Sequence, residues 1–327
     1  YNNAVGKHAL SANTTGINNT GMGHGVLYSN TTANNNTAMG YQGLFNNSTG
    51  ASNTAIGGYA LHANTTHSNN TAVGYTALYN NNGAEWNTAV GSEALLSNTT
   101  GYSLTAIGKG CMRSNTTGTN SVAVGVNALY SNTTGYGHVA IGNDACYNSG
   151  AGNYYNTGVG INALKACTTG NLNTGIGDFA GETLTTGSNN TLIGNSAAPS
   201  SVTVSNEITL GNASISTLRC NDTSISSLSD RRDKTDIINL TAGLDFVNTL
   251  IPRQFKWQTR DGNGKDGLIR AGFIAQELQE AQKDFDFLDL VMDNNPDKLE
   301  AKQEHLIPVL VKAIQELSAK VTALEGK

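Results

Sequence analysis

At 327 residues the chain is long enough for two ordinary domains, yet its 38 glycines, 4 prolines and 13% charged residues set it apart from the roughly 25% charge of a typical globular protein. A formal net charge of −5 argues against nucleic acid as the main partner, which calls for a basic patch. No apolar run approaches the roughly 20 residues of a membrane-spanning helix.

The charge is unevenly spread. Residues 1–200 hold four Lys/Arg and five Asp/Glu, against fifteen and nineteen in the remainder, and such a step marks two structural regimes. The chain opens at Tyr1, inside a repeat and without Met, so the natural N-terminus is expected upstream. Cys111, Cys146, Cys167 and Cys220 show no C-x-x-C pairing and no companion histidine spacing, which predicts free buried thiols, no metal and no cofactor.

A T-A-V/I-G tetrapeptide recurs, with glycines at Gly6, Gly23, Gly40 and so on to Gly142, every interval seventeen. One interval of eighteen leads to Gly160, and the period resumes at Gly177, Gly194 and Gly211. The fullest rung reads N-T-A-V-G-x-x-A-L-x-x-N-T-T-G-x-x. T-A-V-G predicts a short alternating strand, the apolar pair A-L a second one, and N-T-T-G supplies turn chemistry. Such rungs bury a core only by stacking. The Val/Ile and Leu positions are expected to form continuous internal columns, with Asn at a fixed place stacking into amide ladders. At about 4.8 Å between strands, thirteen rungs predict a rod on the order of 60 Å long.

The N-T-A-V-G consensus over residues 1 to about 211 resembles the N-S-V-A-I-G repeat of trimeric autotransporter adhesin heads. The resemblance implies a trimeric β-roll or β-solenoid shaft; an intertwined triple β-helix is the competing architecture.

All twelve tyrosines lie in residues 1–155. The position five after each rung glycine includes Tyr28, Phe45, His62, Tyr79, Arg113, Tyr130 and Tyr147, and it follows the buried Leu, so it should face outward. Tyr28, Phe45, Tyr79, Tyr130 and Tyr147 are therefore candidate glycan contacts; the competing reading is a ladder that stacks on itself or on a neighbouring subunit. Ser149–Tyr155, around the eighteen-residue interval, reads as a bulged, tolerated insertion. Glu85 and Glu93 lie on one rung without carboxylate partners elsewhere, which disfavours a glycosidase, and His8, His24, His62, His67 and His138 show no metal spacing.

Beyond Gly211 the period fades into a junction, 212–228, with Ile215, Leu218, Ile225 and Leu228 among polar residues. Ser229-Asp230-Arg231-Arg232-Asp233-Lys234 follows, then Phe255-Lys256-Trp257, a turn at Asp261–Gly264, Gly272-Phe273-Ile274-Ala275-Gln276-Glu277-Leu278, and Leu306-Ile307-Pro308-Val309-Leu310-Val311-Lys312 leading into the last helix. In order, these motifs resemble the intramolecular chaperone domain of phage tailspikes, tail fibres and endosialidases, which cleaves itself with a Ser/Lys pair. The resemblance implies a small α+β domain over 229–327, Ser229 as nucleophile, Lys234 as general base, and a cut between Ser229 and Asp230. Taken alone, the hexapeptide reads as a serine N-cap before a charged turn. A serine hydroxyl attacking its own carbonyl would close a four-membered ring, so attack on the Leu228 carbonyl or on another chain stays open. The terminal helix, expected over 303–325, carries Ile307, Leu310, Ile314, Leu317, Val321 and Leu324 at spacings that predict a short coiled coil.

Taken together, these readings predict a homotrimeric phage tail fibre or spike, assembled in the host cytoplasm and carried on the virion. It would meet a host receptor, best matched by a glycan, and join other tail components through its missing N-terminus. A bacterial trimeric surface adhesin and a polysaccharide depolymerase spike are the alternatives.

Overall fold

The computed structural model describes residues 1–215, 217–219, 229–259 and 266–326. It contains two compact units, Tyr1–Asn212 and Ala213–Lys327.

The first unit is a parallel β-solenoid. Thirteen three-residue strands, from Asn3–Val5 to Ile208–Leu210, form one sheet in strict chain order. Each residue pairs with the one a rung further on: Thr54 with Thr71, Ala55 with Ala72, Ile56 with Val73. The eighteen-residue rung keeps the ladder, pairing Val139 with Thr157. Because the rungs hydrogen-bond within one chain, the shaft is a single-chain solenoid and not an intertwined triple helix.

Two features differ from the sequence expectation. The middle residue of each strand points inward, and it is usually alanine: Ala38, Ala55, Ala72, Ala89 and Ala106 are fully buried. The Val/Ile position faces out, as at Ile56, Ile107 and Ile141. Period-two alternation puts Thr and Val on the same face, and the narrow interior admits the small residue between them. The second apolar pair is also no strand. Its leucine adopts a left-handed backbone in rung after rung, with φ of 49° at Leu27, 51° at Leu61 and 51° at Leu78. That conformation costs about 1–2 kcal/mol for an L-residue. Full burial of the side chain contributes about 1.5–3 kcal/mol, and the Leu78 amide donates to Ala94 O on the next rung at 3.0 Å, so the turn holds.

Two buried asparagine columns close each rung. In one, Asn36 Oδ1 accepts from the Asn53 amide at 2.8 Å while its Nδ2 donates to Gly50 O at 2.8 Å. In the other, Asn47 Nδ2 donates to Asn30 Oδ1 at 3.2 Å and to the same Gly50 carbonyl at 2.9 Å. An unpaired buried amide would cost about 1–3 kcal/mol; the ladder pairs it with its copy one rung away. The rung glycine is required for a separate reason. Gly91 has φ 139°, and a Cβ there would collide with the backbone carbonyl of Gly108.

The second unit has a small core of Ala242, Phe246, Leu278, Leu288, Leu290, Val291, Leu306 and Val309. Helix α1 (Leu244–Val247) packs on the long terminal helix, and strands Arg253–Lys256 and Ile269–Gly272 form an antiparallel pair. Helix α2 (Ala275–Ala281) follows, then a two-residue strand pair at Val291–Met292 and Glu300–Ala301. A 3-10 turn at Gln303–His305 runs into helix α3 (Leu306–Glu325). Glu316 of α3 accepts from the Leu244 amide at 2.8 Å and so caps α1. Cys220, Leu228, most of the expected junction strands and the Asp261–Gly264 turn lie outside the described residues.

Candidate self-processing site

Ser229 and Lys234 are brought together by one tight turn. Asp230, not Ser229, is the N-cap: its carboxylate accepts from the Arg232 amide at 2.8 Å and from the Arg232 guanidinium at 2.6 Å. That guanidinium, with the amide beside it, holds the Asp230 carboxyl below its usual range. Residues Arg231–Asp233 then make a single 3-10 turn, closed by the Lys234 amide donating to Arg231 O at 3.2 Å. Because Asp230 takes the capping role, the Ser229 hydroxyl is left for another partner. The Lys234 side chain doubles back over the turn and its Nζ donates to Ser229 Oγ at 2.5 Å. Both residues are exposed on the single chain.

A serine next to an amine base is the minimal arrangement for nucleophilic attack on a peptide carbonyl: the hydroxyl supplies the nucleophile and an unprotonated lysine takes its proton. Arg232 pairs with Asp230, and Arg253 pairs with Glu277 at 2.6 Å, joining its strand to α2.

On the shaft, the tyrosine column named from the sequence stacks on itself. Tyr28 lies over Phe45 at 5.0 Å, Phe45 over His62 at 5.4 Å, His62 over Tyr79 at 5.1 Å, and Tyr130 over Tyr147 at 5.1 Å, all within 7° of parallel. Arg113 sits over the Tyr130 ring and pairs with Glu93 at 2.8 Å. Glu85 accepts from the Ser68 amide at 3.2 Å. Sequence reasoning missed a neighbouring column, where His24 stacks on Tyr41 at 5.3 Å and Tyr41 meets Tyr59 edge-on. It also missed the Tyr136–Tyr154–Tyr155 cluster at the long rung. Both were visible as aromatic residues one rung apart.

Cys111, Cys146 and Cys167 are free and buried. Burial pushes the Cys111 thiol up to about 12 and the Cys167 thiol up to about 11, and raises Cys146 as well. Among the described residues no helix is long and apolar enough to cross a membrane.

Residues 229–287 match the family described as chaperone of endosialidase. No curated protein and no solved structure matches the chain. The matched segment starts at Ser229 and includes Lys234, both strands of the antiparallel pair and α2. C-terminal to its β-solenoid in sequence, the chain therefore carries a chaperone-of-endosialidase domain, a self-cleaving serine peptidase and trimerisation chaperone of the kind that matures phage tail fibres and spikes.

Proposed function

We propose that Ser229 is the nucleophile and Lys234 the general base of the self-cleavage, and that the cut falls between Ser229 and Asp230. The observation that carries this reading is the 2.5 Å contact from Lys234 Nζ to Ser229 Oγ at the first residue of the matched segment. Because a serine does not reach its own carbonyl without a four-membered ring, the Ser229 hydroxyl of one copy attacks the Ser229 carbonyl of a neighbour. Lys234 as free amine takes the hydroxyl proton and returns it to the departing Asp230 nitrogen. The resulting ester is hydrolysed by water, leaving a Ser229 carboxylate on the shaft and a new amine at Asp230. Both side chains are exposed on the single chain, and a lysine serves as base when removed from water, so cleavage awaits assembly.

On this reading the shaft ends at Gly211, the junction spans 212–228, and the released chaperone is 230–327. The shaft remains on the virion and meets a host-surface glycan through its aromatic columns; exposed Tyr41 and Tyr75 support this.

Intact-mass measurement after expression tests the chemistry. Ser229→Ala and Lys234→Met should each leave the full 34.1 kDa chain, with cleavage reduced by at least about 10³-fold, within the range lost when one member of a catalytic unit is removed. Release of fragment 230–327 from either variant would remove that residue from the mechanism. Co-expressing Ser229→Ala chains with wild-type chains tests attack between copies, since the Ala chains should then be cut. A fragment starting at Ser229 instead would indicate an acyl shift from Leu228 within one chain. Glycan binding by the shaft without shortening of the glycan is expected; shortening would favour the depolymerase reading.

A further inference from the structure

Each strand of the solenoid sends its first and third side chains outward. The third position is Val, Ile, Met or Leu in all thirteen strands, from Val5, Met22 and Met39 through Ile107 to Ile193 and Leu210. These side chains are not buried: Met22 is 47% exposed, Ile107 40% and Ile193 40%. The first position is Thr in nine strands and uncharged in the other four. The column directly after the rung glycine is different, running through Lys7, Tyr41, Gly58, Ser92 and Asp178. A column facing only water has no reason to stay apolar through thirteen rungs.

At about 4.8 Å per rung the stripe is about 58 Å long. With about 7 Å between the first and third residues of a strand, it covers roughly 400 Å², as much contiguous apolar surface as a monomer ordinarily exposes at its largest patch and about half of the roughly 800 Å² per partner of a stable interface. A lipid surface would call for a flank rich in Lys or Arg; the strands carry none, and the column beside them carries only Lys7 and Lys109.

We propose that this stripe is the face on which copies of the shaft pack against one another in the homotrimer. The inference rests on the homotrimer that the chaperone domain implies. A second copy of the shaft is the partner that presents an uncharged apolar stripe of the same length and the same rung spacing. Three parallel copies turned towards a common axis bury their Val/Ile columns together and leave the aromatic and charged columns outside.

The test uses the full chain. Light scattering establishes the mass of the wild type, which should correspond to three shafts, with or without residues 230–327. Ile107→Cys, treated with a short bis-maleimide, should then cross-link into dimers and trimers on a denaturing gel, above the background of the wild-type cysteines. Tyr102→Cys, on a different column, should stay at that background. Adding Val73→Asp and Val124→Asp to Ile107→Cys should lower the cross-linked yield at least about tenfold, with an unchanged circular dichroism spectrum because those side chains point outward. A trimeric chain whose Ile107→Cys fails to cross-link, or whose yield is indifferent to the two aspartates, overturns the proposal and leaves the homotrimer standing. Binding of that trimer to lipid vesicles through the stripe would point to a membrane occupant and overturn it too. A monomeric wild type overturns both.

Discussion

His138 occupies the place that asparagine fills at Asn36, Asn53 and Asn70, and it is buried. The Asn156 amide donates to its Nδ1 at 3.2 Å, so the ring proton sits on Nε2 and is donated to Asn153 Oδ1 at 3.1 Å. Asn153 in turn donates to Ser149 Oγ at 2.7 Å, and this chain plugs the extra residue of the long rung into the core. Burial pushes the His138 pKa down to about 4 from an ordinary 6.5. As pH falls below 6.5 the unfolded chain takes up a proton that the folded chain refuses until about pH 4. Stability contributed at neutral pH is therefore lost across that window and is constant below it. At about 1.4 kcal/mol per pH unit the loss is on the order of 3 kcal/mol. Melting temperatures at pH 7 and pH 4.5 should diverge for the wild type and converge for His138→Asn. Leu78→Ala should cost about 2–5 kcal/mol, since it leaves a cavity and keeps the left-handed turn; a denaturation midpoint checks it. At the proposed cleavage site, the five-residue spacing of Ser229 and Lys234 allowed for the contact that the turn makes. The identity of the cap was not legible, because Ser229 and Asp230 are both good capping residues and only the turn's geometry chooses between them.

The rung was legible because glycine and asparagine are held at fixed intervals by the backbone itself. Gly91 cannot carry a Cβ without meeting the next rung, and Asn36 finds its partner in Asn53 seventeen residues on. Which face of T-A-V is buried was not legible. Alternation separates Ala from Thr and Val but does not say which set is inside; the width of the interior settles it, and width is a property of the closed coil. The A-L pair misled for a related reason, since a γ-branched residue in the left-handed region is uncommon unless neighbouring rungs hold it there. In α3 the heptad was legible, and the structure adds its orientation. Leu306, Val309 and Ala313 pack inward, whereas Ile314, Leu317 and Leu324 remain exposed. Ile314→Asp with Leu317→Asp should therefore spare the fold of the unit and reduce trimer formation; gel filtration should show a lower mass, and cleavage should fall with it.

Across the molecule, the two units divide the work of assembly. Within a chain the order of rungs is fixed by covalent connectivity, so a rung cannot slip past its neighbour without unwinding. Between chains nothing in a uniform column fixes the alignment: a shift of one rung meets the same residue types. The C-terminal unit, small-cored and with Ile237, Ile238 and Phe287 exposed, is suited to bring three chains into line before the shafts coil. Deleting 230–327 before folding should then give aggregated or misaligned shafts, whereas wild-type shaft should stay in solution after the unit is released. Sedimentation of the two preparations side by side distinguishes them.

The strict pairing of each residue with its counterpart a rung away also governs how the shaft bears load. Pulled by its ends, a single coil of this kind gives way one turn at a time, because within the chain each turn is fastened only to its neighbours. Every event frees seventeen residues, about 60 Å of extended chain, so a stretched shaft should yield in even steps of that size. The long rung would add one slightly larger step. A fibre built this way can lose a turn under tension and recoil it, acting as a spring with a fixed increment.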